Sequence, residues 1–186
     1  MAFSAAEGKQ FFKEWFNYFC LDDEYKITHV LDIGAGAGLY ADLIHEVSGA
    51  AIVDAVEIYN PYIDQFNLRS KYRHIYVEDA VEFEPQEKYD LIILGDVLEH
   101  IDPKTAYHFF MNLKMKARFI FLSLPVKPFR PWFWGYNQPA CDYAENIREK
   151  HVTDWDYGLL VDMFGPFLWQ VPFRTVVVLV AEGITQ

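Results

Sequence analysis

Residues 30–44 read VLDIGAGAGLYADLI, and this stretch decides the fold. Its first four residues are the apolar end of a strand, and glycines follow at positions 34, 36 and 38. Leu39 then opens a run through position 47 whose apolar residues have helical spacing. Because glycine adopts backbone conformations that other residues avoid, the stretch predicts a strand-to-helix turn that lets a ligand approach the main chain closely.

The rest of the chain repeats this alternation of strand and helix. We predict further strands at 51–58, 74–79, 89–96 and 118–125, and helices at 9–21, 39–47, 61–70, 103–116 and 153–164, the last capped by Thr153. Residues 167–173 and 174–182 form a predicted antiparallel hairpin. The predicted fold class is therefore α/β: a doubly wound, mostly parallel, Rossmann-like sheet with helices on both faces and an antiparallel C-terminal hairpin.

A single domain spanning residues 1–186 accounts for the composition. Hydrophobic residues make up 52% of the chain and aromatic residues 18%, which suffices for one core. Two aromatic segments are predicted to cover an acceptor site: an amphipathic helix at about 9–21 and an excursion at about 126–152. The rings at 128–138 suit a wall for an acceptor, structural packing or a dimer contact.

The charge balance bears on the class of partner. Lys and Arg number 16 against 27 Asp and Glu, a net charge of −11. Such a chain gains little from the phosphate attraction that dominates nucleic-acid binding, or from an anionic membrane. Cys20 and Cys141 cannot form a disulfide framework, and no apolar stretch reaches the roughly 20 residues of a membrane helix. We expect a cytoplasmic monomer or homodimer with neither a nucleic-acid nor a membrane partner.

Acidic residues end the first three predicted strands. Asp32 precedes the first glycine by two positions and suits the cationic amino-acid end of a ligand. Glu57 suits the two hydroxyls of a ribose, with Ile58 against an adenine face, and Asp79 could accept from the exocyclic amine of adenine. The dinucleotide pattern G-x-G-x-x-G would need its third glycine at position 39, which is leucine, so a nicotinamide cofactor is disfavoured.

Four stretches carry a family resemblance: VLDIGAGAGLYADLI at 30–44, VDAVEI at 53–58, YVEDA at 76–80 and YDLIILGDVLEHI at 89–101. They resemble the successive motifs of class I S-adenosylmethionine-dependent methyltransferases over about residues 27–125. The resemblance implies S-adenosylmethionine as methyl donor and S-adenosylhomocysteine as product. The cofactor-binding residues that it implies are Asp32, Gly34, Gly36, Gly38, Glu57, Ile58, Asp79, Ala80, Asp96 and Val97.

The same resemblance implies a methyl acceptor. The small single-domain members with a D-V-L-E-H stretch include many enzymes that act on small molecules, so we expect methylation of an O or N of such a molecule. The Asn-Pro-Pro-aromatic motif and the Pro-Cys dipeptide of nucleic-acid methyltransferases are both missing. We therefore expect a small-molecule acceptor, with a non-catalytic S-adenosylmethionine-binding regulatory or assembly module as the alternative.

The candidate catalytic residues are Glu99, His100 and His151. Asp96, Glu99 and His100 are spaced i, i+3 and i+4 and would share one face of a helix, while His151 precedes a predicted helix on the same side. Three interpretations stay open. One histidine accepts the acceptor's proton, or carboxylates and imidazoles hold a divalent metal as in some O-methyltransferases with a similar Glu-His pair, or Glu99 and His100 only cap and pack. We assign no residue as a metal ligand.

Overall fold

The computed structural model describes residues 6–126, 150–173 and 176–184, apart from positions 21, 23 and 24. Within these residues one sheet contains seven strands: β1 His29–Ile33, β2 Ile52–Val56, β3 Ile75–Tyr76, β4 Tyr89–Gly95, β5 Ala117–Pro125, β6 Trp169–Pro172 and β7 Val176–Glu182. The α-helices are α1 Ala6–Cys20, α2 Leu39–Val47, α3 Pro61–Gln65, α4 Pro103–Lys114 and α5 Tyr157–Phe164. Short 3-10 turns cover Leu68–Ser70 and Leu98–His100.

The strand order confirms the predicted sheet and locates its crevice. The order is β3-β2-β1-β4-β5-β7-β6, with β1 to β5 parallel and β7 antiparallel to both of its neighbours. The chain therefore winds away from β1 in one direction and later from β4 in the other. In such sheets a ligand binds outside the carboxyl ends of the two strands at this switch point, here β1 and β4.

Alternating residues of the strands feed two separate cores. Phe119 and Phe121 of β5 pack on the face covered by α1 and α2, whereas Ile120 and Leu122 pack on the face covered by α4 and α5. Successive side chains of a strand point to opposite faces, so a strand buried on both faces must be apolar throughout. The predicted helices on both faces are confirmed.

Helix α1 begins three residues before its predicted start and packs closely on the sheet. Its buried aromatic face consists of Phe12, Trp15, Phe16 and Phe19. All of these except Phe16 make ring contacts with Phe119 or Phe121 of β5. Gly8 makes the approach possible, because a Cβ there would lie 2.4 Å from Oγ of Ser123. The helix thereby carries Lys9 over the carboxyl end of the sheet. Its role as a cover for the acceptor stays a prediction.

Several predicted boundaries are wrong. The third strand is Ile75–Tyr76 rather than 74–79, because it pairs with β2 at only two positions. The helix predicted at 61–70 ends at Gln65 and is followed by a 3-10 turn. Asp156, not Thr153, caps the last helix: its carboxylate accepts from the amides of Gly158 and Leu159.

Most of the aromatic excursion predicted at 126–152, including its rings at 128–138, lies outside the described residues, as does Cys141. Among the residues that are described, no helix combines the length and the apolar character needed to cross a membrane.

Candidate active site

The glycine turn after β1 has the backbone that its sequence predicts. Gly34 and Gly36 have φ values of 71° and 53°, in the left-handed region that side chains with a Cβ rarely adopt. A Cβ on Gly34 would also lie 2.8 Å from Cγ2 of Val97, which follows β4. The turn therefore needs glycine both for its conformation and for its close contact with the neighbouring loop.

Glu57 joins the loop after β2 to this turn. Its side chain is buried, with the residue 6% exposed. Oε2 accepts from the amide of Gly36 at 2.8 Å, and Oε1 accepts from the amide of Tyr59 at 2.7 Å. These two backbone donors hold the carboxylate at the carboxyl end of β2. Each carboxylate oxygen has a second lone pair, so further hydroxyl donors can be accepted there.

Asp32 is the most buried carboxylate of the turn, at 1% exposed. The hydroxyl of Tyr72 donates to its Oδ2 at 2.6 Å. Burial raises the pKa of Asp32 to about 7, although the Tyr72 hydrogen bond and the charge of Lys9 both act to lower it. A cation placed beside this buried carboxyl group would lower its pKa, because a neighbouring positive charge stabilises the ionised form.

Lys9 was not predicted as a site residue, yet α1 places it here. Its Nζ lies 4.0 Å from the carboxylate of Asp96 and 5.0 Å from the ring centre of Tyr40. Nζ is buried with no hydrogen-bond partner among the described residues, and burial lowers the pKa of Lys9. In the sequence Lys9 only precedes an aromatic run, so no local pattern separates it from a lysine on a solvated helix face.

The remaining predicted cofactor residues lie at the same end of the sheet. Ile58 follows Glu57 and is half-buried, as are Asp79 and Ala80, which lie beyond the end of β3. Asp79 accepts from the amide of Val81 at 3.2 Å and so shapes its own turn. Their adenine contacts stay predictions.

Asp96 and Val97 form the corner after β4. Asp96 has φ 58°, and its amide donates to the carbonyl of Ser123 at 2.7 Å. The backbone at 96 is therefore not helical, and the helical turn begins only at Leu98. The expectation that Asp96, Glu99 and His100 share one helix face is wrong for this reason. Val97 is buried against the glycine turn.

Glu99 points into the protein. It is 1% exposed, and its Oε2 has no hydrogen-bond partner among the described residues. Burial, together with the negative charge of Asp96, raises the pKa of Glu99 well above its usual range. A buried carboxylate oxygen without a partner is costly, so Oε2 marks a place where a proton or a cation is needed.

Backbone hydrogen bonds bring His151 to this point. The carbonyl of Glu99 accepts from the amides of Val152 at 2.8 Å and Thr153 at 3.0 Å, and Oγ1 of Thr153 donates to the carbonyl of Ile101 at 2.7 Å. The rings of His100 and His151 then meet edge to face, with centroids 5.1 Å apart. One ligand atom each of Glu99, His100 and His151 lies within 4.8 Å of the other two. The structure thus brings together the three predicted catalytic residues.

Comparison with known proteins identifies the family. A family model described as a methyltransferase domain matches residues 6–160. The chain belongs to this methyltransferase family. The resemblance carried by the four sequence motifs is thereby confirmed, and the match extends over both α1 and the segment that holds His151. Among curated proteins, none matches the chain significantly.

Solved structures share the fold at low sequence identity. A Nostoc punctiforme protein assigned as an O-methyltransferase is 19% identical with a TM-score of 0.69, over 95% of this chain and 56% of that one. Magnesium protoporphyrin IX methyltransferase from Synechocystis, which holds S-adenosylmethionine, is 17% identical with a TM-score of 0.63, over 96% and 81% of the two chains.

An S-adenosylmethionine-dependent methyltransferase from Clostridium acetobutylicum is 11% identical with a TM-score of 0.67, over 94% and 91% of the two chains. This chain therefore spans little more than half of the Nostoc protein, although it matches most of the other two. At these identities the likeness shows a shared fold.

Proposed function

We propose that this protein transfers a methyl group from S-adenosylmethionine to an O or N atom of a small-molecule acceptor. The observation that carries the proposal is the pair of buried carboxylates, Asp32 and Glu57, on either side of a glycine turn with left-handed backbone. Membership of the methyltransferase family and the cofactor held by the Synechocystis relative support it.

The residues present fit this cofactor. Glu57 would hold the ribose hydroxyls, because its carboxylate is already oriented by two backbone amides. Asp32 would hold the ammonium group of the methionine end, directly or through water, and the added positive charge would favour the ionised form of this buried carboxyl group. Lys9 would face the methionine carboxylate, since its buried ammonium group has unused donors.

S-adenosylmethionine supplies a methyl group on a sulfonium when bound and leaves as S-adenosylhomocysteine. The acceptor atom forms its bond to the methyl carbon as the carbon–sulfur bond breaks, the sulfonium becomes a neutral thioether, and the acceptor's proton is released. The chain's own task is mainly to position the two reactants in line and to exclude water. Glu99, His100 and His151 lie on the acceptor side of the corner at Asp96 and would meet that proton.

The decisive experiment combines cofactor binding with turnover. Calorimetry should show S-adenosylmethionine binding, and Glu57→Ala should weaken it at least about tenfold, because two charge-assisted hydrogen bonds to the ribose are lost. Glu84→Ala is the matched control, since Glu84 is an exposed carboxylate further along the chain. Unchanged affinity in a folded Glu57→Ala protein would remove Glu57 from the site.

Turnover separates the enzyme from a binding module. The full chain with S-adenosylmethionine and a library of small hydroxyl and amine acceptors should release S-adenosylhomocysteine in proportion to methylated product. Cofactor binding with no product across the library would favour the non-catalytic module. No binding of the cofactor at millimolar concentration would overturn the proposed function itself.

A further inference from the structure

The cluster of Glu99, His100 and His151 contains more ligand atoms than one proton transfer requires. A general base needs one imidazole and a partner that orients it. Oε2 of Glu99 is buried and has no hydrogen-bond partner among the described residues, and a nitrogen from each of the two histidine rings lies within 4.8 Å of a Glu99 carboxylate oxygen.

We propose that Glu99, His100 and His151 form a binding site for a divalent transition-metal ion. Two imidazoles and one carboxylate are the ligands that Zn²⁺ and its first-row neighbours prefer, and they also form the protein part of catalytic zinc sites. Atoms that bind one ion through bonds of about 2.1 Å lie about 3–4 Å from one another. The three ligand atoms lie within 4.8 Å of one another, so displacements of about 1 Å would bring them to the separations of a metal site.

Electrostatics at this point favour a cation. Glu99 is buried, at 1% exposed, and the negative charge of Asp96 acts on it. Lys9 lies against Asp96 at 4.0 Å and compensates that carboxylate. A divalent ion at Glu99 would supply the missing positive charge and would satisfy the unpartnered Oε2 directly.

The orientation of His100 suits a ligand. Its Nδ1 lies 3.1 Å from the carbonyl oxygen of Lys150. Because a carbonyl only accepts, Nδ1 carries the proton, and the lone pair of the neutral ring is on Nε2. Metal-binding histidines commonly donate their second ring nitrogen to a carbonyl in this way, which fixes both tautomer and ring direction.

The site also bears on the acceptor, in an argument that rests on the proposed function. Three protein ligands leave coordination positions open, as in catalytic zinc sites. An acceptor hydroxyl could occupy one beside the corner at Asp96 and release its proton to solvent before methylation. The site therefore favours an oxygen acceptor over an amine that is protonated at neutral pH.

The test titrates Co²⁺ and Zn²⁺ into the full chain without cofactor, by calorimetry and by the visible absorption of Co²⁺, with Mg²⁺ for comparison. One equivalent of Co²⁺ should bind more tightly than Mg²⁺. His151→Ala and Glu99→Gln should each weaken Co²⁺ binding by at least the 10–100-fold that is typical of losing even an outer-sphere partner. His108→Ala, which removes an exposed imidazole from α4, should leave it unchanged.

Each outcome decides the proposal. Absence of Co²⁺ binding to the wild-type chain, or equal affinities in His151→Ala, Glu99→Gln and His108→Ala, would overturn it. Glu99→Gln should fold, because the amide has nearly the size and shape of the carboxyl group that it replaces, and His151→Ala keeps the test valid if it does not. S-adenosylmethionine binding is measured separately on the metal-free chain, so failure of the proposed function and failure of the metal site are distinguishable.

Discussion

At the scale of single residues, the burial of Asp32 should affect cofactor affinity if this carboxylate binds the methionine ammonium group, as we propose. Its pKa is raised to about 7 by burial, so the group is largely protonated at pH 6 and largely ionised above pH 7.5. An ammonium ligand prefers the ionised form. We therefore expect the affinity for S-adenosylmethionine to rise roughly tenfold from pH 6 to pH 7.5, as measured by calorimetry.

Asp32→Asn is the control for this pH dependence. The amide oxygen can still accept from Tyr72 but does not titrate, so the variant should bind more weakly with a nearly flat pH profile. An unchanged slope in the variant would assign the titration to another group. The raised pKa of Asp32 also makes the stability of the fold depend on pH. The free energy of unfolding should fall from about pH 3.9 to about pH 7, since the folded chain retains a proton that the unfolded chain has lost.

At the scale of elements, Gly8 sets the distance between α1 and β5. Alanine is normally favoured over glycine in a helix by about 1 kcal/mol. Here its Cβ would lie 2.4 Å from Oγ of Ser123, so we expect Gly8→Ala to destabilise the protein by about 1–3 kcal/mol, the usual cost of overpacking, in urea unfolding. Cofactor affinity should fall as well, because Lys9 moves with the helix.

The double variant tests the cause of this loss. Adding Ser123→Ala removes Oγ, after which the next contact of the new Cβ is the Cβ of residue 123 at 3.4 Å. Most of the stability lost in Gly8→Ala should then return relative to Ser123→Ala alone. Stabilisation by Gly8→Ala in the wild-type background would show that helix propensity outweighs the contact and that α1 can shift freely.

At the scale of the whole molecule, cofactor binding should stabilise the fold. The predicted cofactor contacts come from the loops after β1, β2, β3 and β4 and from α1, so the ligand joins elements that are far apart in sequence. A ligand at 100 times its dissociation constant adds about 2.7 kcal/mol, which corresponds to about 5–11 °C in the thermal midpoint of a chain of this size.

Thermal shift assays check this expectation with a matched nucleotide. S-adenosylmethionine and S-adenosylhomocysteine should each raise the midpoint, whereas NAD at the same concentration should not, because position 39 lacks the third glycine of the dinucleotide pattern. An equal shift with NAD would point to a dinucleotide site instead.

The sheet and the glycine turn could be predicted because their causes are local. Strands that are apolar throughout predict a sheet covered on both faces, and glycine at positions 34, 36 and 38 predicts left-handed backbone wherever the chain turns. The position of Glu57 could be predicted because β1 and β2 are parallel, so the residue after β2 lies at the same edge of the sheet as the glycine turn. Boundaries such as that of β3 were wrong because pairing with β2, not residue preference, ends that strand.

Tertiary structure alone decided which distant side chains meet. Lys9 enters the site because Gly8 lets α1 approach β5, and His151 reaches His100 because the amides of residues 152 and 153 bind one carbonyl of the 3-10 turn. Neither contact has a local sequence pattern, since each depends on packing or hydrogen bonds between segments more than 50 residues apart. The amino-acid sequence therefore determined the fold and the glycine turn, and only the packed chain determined what surrounds Asp96 and Glu99.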